Sequence, residues 1–215
     1  MEERPIRRAA SAICVRTGAD GPEVLVVVRS ETSRFLPGYV AFPGGAVEPG
    51  DDERAGRWFG DPSESSRAAA VREVIEEVGL ALTSGGLVAV DADDTFARVH
   101  ASPPSVDGLR EMAHWIAPPV VPVRFDARYF AVAAEGAPDP VPDGVEATEA
   151  GWVAPALLHD QWAAGERKLY WPTYWTLQHL LRCTTAEEVL ELRFETREPT
   201  QDEIVSLPRS VMEQV

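Results

Sequence analysis

The stretch Arg72-Glu73-Val74-Ile75-Glu76-Glu77-Val78-Gly79-Leu80 decides how this chain of 215 residues is read. Wound at about 100° per residue, it sets Glu73, Glu76 and Glu77 at i, i+3 and i+4 on one narrow face. Val71, Val74, Ile75 and Val78 fall opposite, with Ala68 beside them, so an apolar half can be buried while the carboxylates converge. Like charges at these spacings repel by roughly a few tenths of a kcal/mol per pair, and only Arg72 is near to offset them. A sequence shaped for helix stability alone would interleave more cations. Three carboxylates on one face form a hard-oxygen site of the kind Mg²⁺ or Mn²⁺ accepts, with substrate phosphates and water completing the shell. An acidic helix face turned to solvent is the competing reading.

Working outward, the helical pattern runs from Ser66 to Val78, and Gly79 supplies its stop. Upstream lies Phe42-Pro43-Gly44-Gly45-Ala46-Val47-Glu48-Pro49-Gly50-Asp51, whose paired glycines let the backbone approach a ligand where a side chain would clash. A backbone carbonyl there can join a metal shell. Ala10 to Arg16 and Glu23 to Arg29 are apolar, β-branched runs around a turn from Thr17 to Pro22, which predicts a hairpin. Gly86 to Ala92, Val120 to Val123, Arg128 to Ala133 and Gly151 to Val153 read as further strands. Pro155 to Ala164, Thr173 to Arg182 and Thr185 to Leu192 read as helices, and Phe194 to Val215 as an arm that packs or frays. This order makes a mixed α+β domain.

Composition sets the bounds. Thirty-five acidic against twenty basic side chains give a formal charge of −15, which argues against nucleic acid, whose affinity comes from Lys and Arg displacing counterions. An anionic substrate then needs a local arginine cluster or bound metal. No apolar run reaches the roughly 18 to 20 residues of a membrane helix, and Met1 to Pro5 opens no secretory segment, so cytoplasm is the expected compartment and no membrane partner is expected. Cys14 and Cys183 stand far apart in a chain large enough to need no staple, so buried reduced thiols are expected.

The segment resembles the Nudix hydrolase family, whose box is Gly-x5-Glu-x7-Arg-Glu-apolar-x-Glu-Glu-x-Gly-apolar. Its second half matches at every fixed place from Arg72 through Leu80, a coincidence of the order of once per 10⁶ windows at average residue usage. Counted forward from Gly45 the first box acid falls on Asp51; counted back from Arg72 it falls on Glu64. Glu64 is preferred because it keeps the seven-residue spacer, which leaves about Asp51 to Ser63 as an insertion in the loop before the helix. The resemblance implies a Nudix-type α/β/α sandwich with a mixed sheet plus C-terminal helices, one domain over 1–215. It implies that Glu73, Glu76 and Glu77, with the Gly45 carbonyl, hold Mg²⁺ or Mn²⁺. Arg72 would orient the carboxylates, and Glu76 or Glu73 would be the base for the attacking water. Glu146 and Glu149, before Trp152, are candidates for a further carboxylate or are ordinary surface-loop acids. Many members pair, so a homodimer fits too, with the insertion as interface or lid.

The residues from Arg29 through Gly45 are also similar to the signature of the coenzyme A diphosphatase branch, Arg-[Ser/Ala]-x3-Arg-x3-Gly-x3-Phe-Pro-Gly-Gly, although the Leu-Leu-Thr start is Leu25-Val26-Val27 here. Arg29, Arg34, Phe42 and Gly44 are its substrate-binding candidates. Two guanidiniums beside a diphosphate site suit a ligand with an extra phosphomonoester, though both can merely pair with surface acids. Trp115 to Pro118 and Arg124 to Phe130 look like segments of the peroxisomal type, which also carries an insertion within the box. Trp162, Tyr170, Trp171, Tyr174 and Trp175 either line a channel for a pantetheine tail or pack helices on the sheet. A pyrophosphatase for ADP-ribose or NADH keeps the same box, and a non-catalytic nucleotide-binding module would not need the acidic face complete.

Overall fold

The computed structural model describes residues 6–90, 93–117 and 124–196. Its frame is a mixed sheet that begins with β1 (Ile6–Gly18) and β2 (Gly21–Arg29), a hairpin closed by only two residues. Both strands are longer than the apolar runs suggest. β1 pairs in parallel with β8 (Arg124–Ala133) from Ile6↔Arg124 to Val15↔Ala133, a distant pairing that carries it well upstream of Ala10. β3 (Tyr39–Ala41) and β4 (Gly44–Ala46) add short pairs to β2 and β1. β7 (Arg110–Ile116) closes one edge on β8, β9 (Ala147–Val153) lies on β2, and β10 (Lys168–Leu169) lies on β3. A separate hairpin joins β5 (Leu80–Thr83) to β6 (Gly86–Ala89). The expected strand at Val120 to Val123, and Asp91 and Ala92 of the expected strand from Gly86, lie outside the described residues.

Alternation along the strands divides the core in two. Ala10, Ala12, Cys14, Phe130 and Val132 point to one face. There they meet α1 (Asp51–Phe59), α2 (Ser65–Val78) and the neighbourhood of α3 (Ala97–Ala101). Ile13, Val15, Tyr129 and Ala131 point to the other, against α5 (Trp171–Leu180) and α6 (Ala186–Glu191). α4 (Pro155–Ala163) packs Leu158 and Trp162 with Val40, Leu169 and Leu177. The α/β/α sandwich is therefore present, with its last three helices on the face away from α2.

The segment from Asp51 to Ser63 is not the loop it was expected to be. It forms α1 and leads into a 3₁₀ turn over Pro62–Glu64. Asp51, Ala55 and Trp58, at i, i+4 and i+7, are its buried positions, so a helical face exists whose first member is an acid. α2 ends as read: Gly79 takes φ 66°, and its N–H donates to the Ile75 and Val74 carbonyls. Cys14 is fully buried, and burial pushes its thiol up to about 12; Cys183 is half-buried, and both are free. At the start of the C-terminal arm, Phe194 stacks on His179 and its N–H donates to Met112 of β7, while the arm beyond Thr196 lies outside the described residues. Among the described residues no helix is long and apolar enough to cross a membrane.

Candidate active site

β4 lies against β1 with Gly44 opposite Ser11 and Gly45 opposite Ala10, and α2 crosses behind them. This close passage is why two glycines stand in sequence. A Cβ on Gly44 would come within 2.5 Å of the Ala10 carbonyl oxygen and 2.7 Å of the Ser11 Cα, which are rigid backbone. A Cβ on Gly45 would come within 2.1 Å of Glu73 Oε1, the end of a movable side chain. Gly44→Ala is expected to loosen β4 and lower stability by about 1–3 kcal/mol. Gly45→Ala is expected to keep most of that stability and lose about 10²-fold in turnover by displacing Glu73. Parallel melting curves and rate assays separate the two; equal effects on both readouts would contradict this division.

The carboxylates of α2 do not lie on a solvated face. Glu73 is 7% exposed and Glu77 2%, while Glu76 reaches further out. Glu77 Oε2 accepts the Gly44 N–H at 3.0 Å. The Arg72 guanidinium bridges Glu73 at 2.9 Å and Glu76 at 2.7 Å, and donates to the Ala46 carbonyl at 2.9 Å. Its remaining partner corrects the preference for Glu64. Arg72 Nε meets Asp51 Oδ1 at 3.1 Å, and Asp51 is completely buried and also accepts the Glu48 N–H at 2.8 Å. Glu64 instead pairs with Arg67. The acid that holds Arg72 is the one counted forward from Gly45, and the extra residues follow it as α1 and the 3₁₀ turn.

Burial pushes the Glu77 carboxyl up to about 8, and the charge of Glu73 adds to that rise against the Gly44 N–H and Arg29. Burial also pushes Glu73 up to about 7, against the pull of Arg72. For both acids burial outweighs the cations that the protein supplies, Arg72 for Glu73 and Arg29 for Glu77. A hard divalent cation would supply the remaining compensation, and Glu73, Glu76 and Glu77 with the Gly45 backbone are the donors that fit one. Among the described residues no three of these side chains already stand together at ligand spacing; the Arg72 guanidinium occupies the gap between Glu73 and Glu76.

The same shifts carry a sign for stability. Each acid keeps its proton in the folded chain above the ordinary value of 4.5, where the unfolded chain has lost it, so folding weakens as pH rises from there through about 7 and 8. In a chelator the melting temperature is expected to fall across that window, and added Mg²⁺ or Mn²⁺ to raise it most at the alkaline end. A flat profile with no response to cation would mean that the protein compensates both acids itself.

A cavity of about 540 Å³ opens in front of this wall. Arg29, Phe42, Gly44, Gly45, Arg72, Glu73, Glu76 and Glu77 all line it, as does Glu146. Asp143 presents Glu146 by accepting its N–H at 3.0 Å and that of Ala147 at 2.8 Å, while its own N–H donates to the Glu77 carbonyl. Glu149 points away and pairs with Arg167 at 2.7 Å, and Arg34 is exposed outside the cavity lining. Of the aromatic candidates, Tyr170 and Trp171 line the cavity, whereas Trp162, Tyr174 and Trp175 pack helices on the sheet. Trp115, Ile116 and Ala117 line it with Phe125, Ala127 and Tyr129, so both secondary segments do contribute walls. Arg7, Ser11, Phe35 and Asp143 line it without having been singled out in the sequence; the period of two along β1, extended upstream of Ala10, points to the first two. A second, more open hollow of about 730 Å³ beside β7 shares only Trp115 and Ile116 with it.

The family model for the NUDIX domain matches residues 6–171. The chain belongs to the Nudix family. Among solved structures, this Nudix chain is similar to a Nudix hydrolase from Alicyclobacillus acidocaldarius, at 31% identity and a TM-score of 0.77 over 88% of this chain and 97% of that one. It shares the fold of the NUDIX domain of Shewanella oneidensis NrtR, described in complex with ADP ribose, at 11% identity and a TM-score of 0.53 over 83% and 88% of the chains. A curated relative, "Putative nudix hydrolase 7" of Caenorhabditis elegans, is 29% identical over 73% of this chain. This chain spans about half of that relative's length, 55%.

Proposed function

We propose that this Nudix chain hydrolyses the diphosphate of coenzyme A or its thioesters to 3′,5′-ADP and (acyl-)phosphopantetheine, using Mg²⁺ or Mn²⁺. The observation that carries this reading is that Arg29 and Phe42, from the stretch before the Gly-Gly turn, line the same cavity as Glu73, Glu76 and Glu77. The charge of Arg29 acts on Glu77, which supports a diphosphate-binding role for that guanidinium. Phe35, Phe125 and Tyr170, packed edge to face with centroids 5.5 and 5.8 Å apart, offer an apolar wall for the pantetheine end.

A bound divalent cation would neutralise the diphosphate and acidify the attacking water. Arg72 holds Glu73 and Glu76 in place through one guanidinium and is itself anchored by Asp51. One of those two glutamates takes the proton of the water as its oxygen joins phosphorus and the bridging P–O bond breaks. Glu146 faces the same space from the opposite loop and is the available extra carboxylate.

The test is a panel of coenzyme A, dephospho-coenzyme A, acetyl-coenzyme A, ADP-ribose and NADH with Mg²⁺, Mn²⁺ or EDTA, with products resolved by mass spectrometry. Metal-dependent release of 3′,5′-ADP from coenzyme A is expected. Turnover confined to ADP-ribose or NADH would keep the hydrolase and discard the coenzyme A reading.

A further inference from the structure

We propose that Arg7 of β1, and not Arg34, is the cavity's second substrate-facing guanidinium beside Arg29 and forms an anion subsite for a phosphomonoester that the substrate carries beyond its diphosphate. This deepens the coenzyme A reading and rests on it for the substrate's identity.

The strand places Arg7. β1 alternates, so Arg8 turns to the Ser65 and Ser66 hydroxyls of α2, at 2.9 and 3.0 Å, while Arg7 and Ser11 line the cavity. Arg7 lies in register with Phe125 on β8, and Ser11 with Tyr129. Gly45, against which Glu73 packs, is opposite Ala10. Arg7 is three residues further along, about 10 Å of backbone at the rise of a strand.

Its partners, or lack of them, indicate a ligand. Arg72 is committed to Asp51, Glu73, Glu76 and the Ala46 carbonyl, and Arg29 donates Nε to the Phe35 carbonyl at 3.1 Å. Among the described residues the Arg7 side chain makes no hydrogen bond or ion pair, although acids outnumber bases 35 to 20 in the chain. It is exposed, so an incoming anion need not displace a partner. A guanidinium with its fork unoccupied at a cavity wall can take a phosphate bidentately.

The test compares wild type with Arg7→Gln and Arg34→Gln by two readouts. One is the KM for coenzyme A against dephospho-coenzyme A; the other is equilibrium binding of 3′,5′-ADP against 5′-AMP, which needs no turnover. Arg7→Gln is expected to raise the coenzyme A KM about tenfold, as loss of one charge-assisted contact does, with kcat and the dephospho-coenzyme A KM unchanged. The preference for 3′,5′-ADP should shrink by the same factor, and Arg34→Gln should move neither. Should coenzyme A not be hydrolysed while wild type still prefers 3′,5′-ADP through Arg7, the subsite stands and the coenzyme A reading falls. A wild type without that preference, or a preference that survives in Arg7→Gln or is lost in Arg34→Gln, overturns the subsite whatever is hydrolysed.

Discussion

Arg72→Met is expected to cost the folded chain about 3 kcal/mol, the low end of what breaking a buried ion pair costs, and to abolish turnover. Arg72 is 2% exposed and Asp51 is fully buried, so removing the guanidinium leaves an acid that cannot reach water. The loss is held to the low end because Arg54 still meets Asp51 at 3.1 Å and the Glu48 N–H still donates to it. Glu73 and Glu76 lose their common anchor at once, which removes the geometry as well as the stability. Asp51→Asn combined with Arg72→Met should recover part of the stability and none of the activity, since the two groups form one network. Glu64→Gln provides the contrast. Its pair with Arg67 is partly solvated and should be worth less than about 1 kcal/mol. Chemical denaturation of the four proteins decides the matter: an Arg72→Met loss smaller than that of Glu64→Gln would return the box acid to Glu64.

That ambiguity shows where a linear sequence stops being informative. The spacing within α2 is local, so three glutamates, one arginine and the Gly79 stop could be read directly. The choice between Asp51 and Glu64 depended on whether the chain between them folds back, and α1 does that with a buried face of Asp51, Ala55 and Trp58. An apolar-periodicity argument discards such a face because its first member is charged. β7 was hidden in another way: a register shift between Glu111 and Ala113 breaks the period of two on which strand recognition rests. Arg7 stayed invisible because β1 extends upstream of its apolar run by distant pairing, above all with β8 more than a hundred residues away. Arg29 and Arg34 looked equivalent for the converse reason. Arg29 is the last residue of β2, where pairing with Ala147 of β9 holds it at the cavity, whereas Arg34 lies in the loop beyond and is left in solvent.

Glu77→Gln is expected to lower turnover by at least about 10²-fold while leaving the fold intact, a loss of several kcal/mol in transition-state charge stabilisation. The argument lies in what this side chain does without a ligand. It is 2% exposed and accepts one backbone N–H, from Gly44, a bond that the amide oxygen of glutamine can also accept. The negative charge itself therefore does nothing for the fold, and burial opposes it strongly enough to hold the carboxyl near 8. A charge kept where folding disfavours it serves something other than folding. Removing it should make the chelated protein more stable at alkaline pH than wild type, because the wild-type acid must there either ionise in a buried site or take up a proton. The same variant should gain less stability from Mg²⁺ or Mn²⁺ than wild type does. Stability and rate thus move in opposite directions for a single substitution, a pattern that general damage to the helix would not produce. Full turnover with the same cation, or a chelated melting temperature below that of wild type at alkaline pH, would remove Glu77 from the metal-holding set and leave Glu73, Glu76 and Glu146 to account for it.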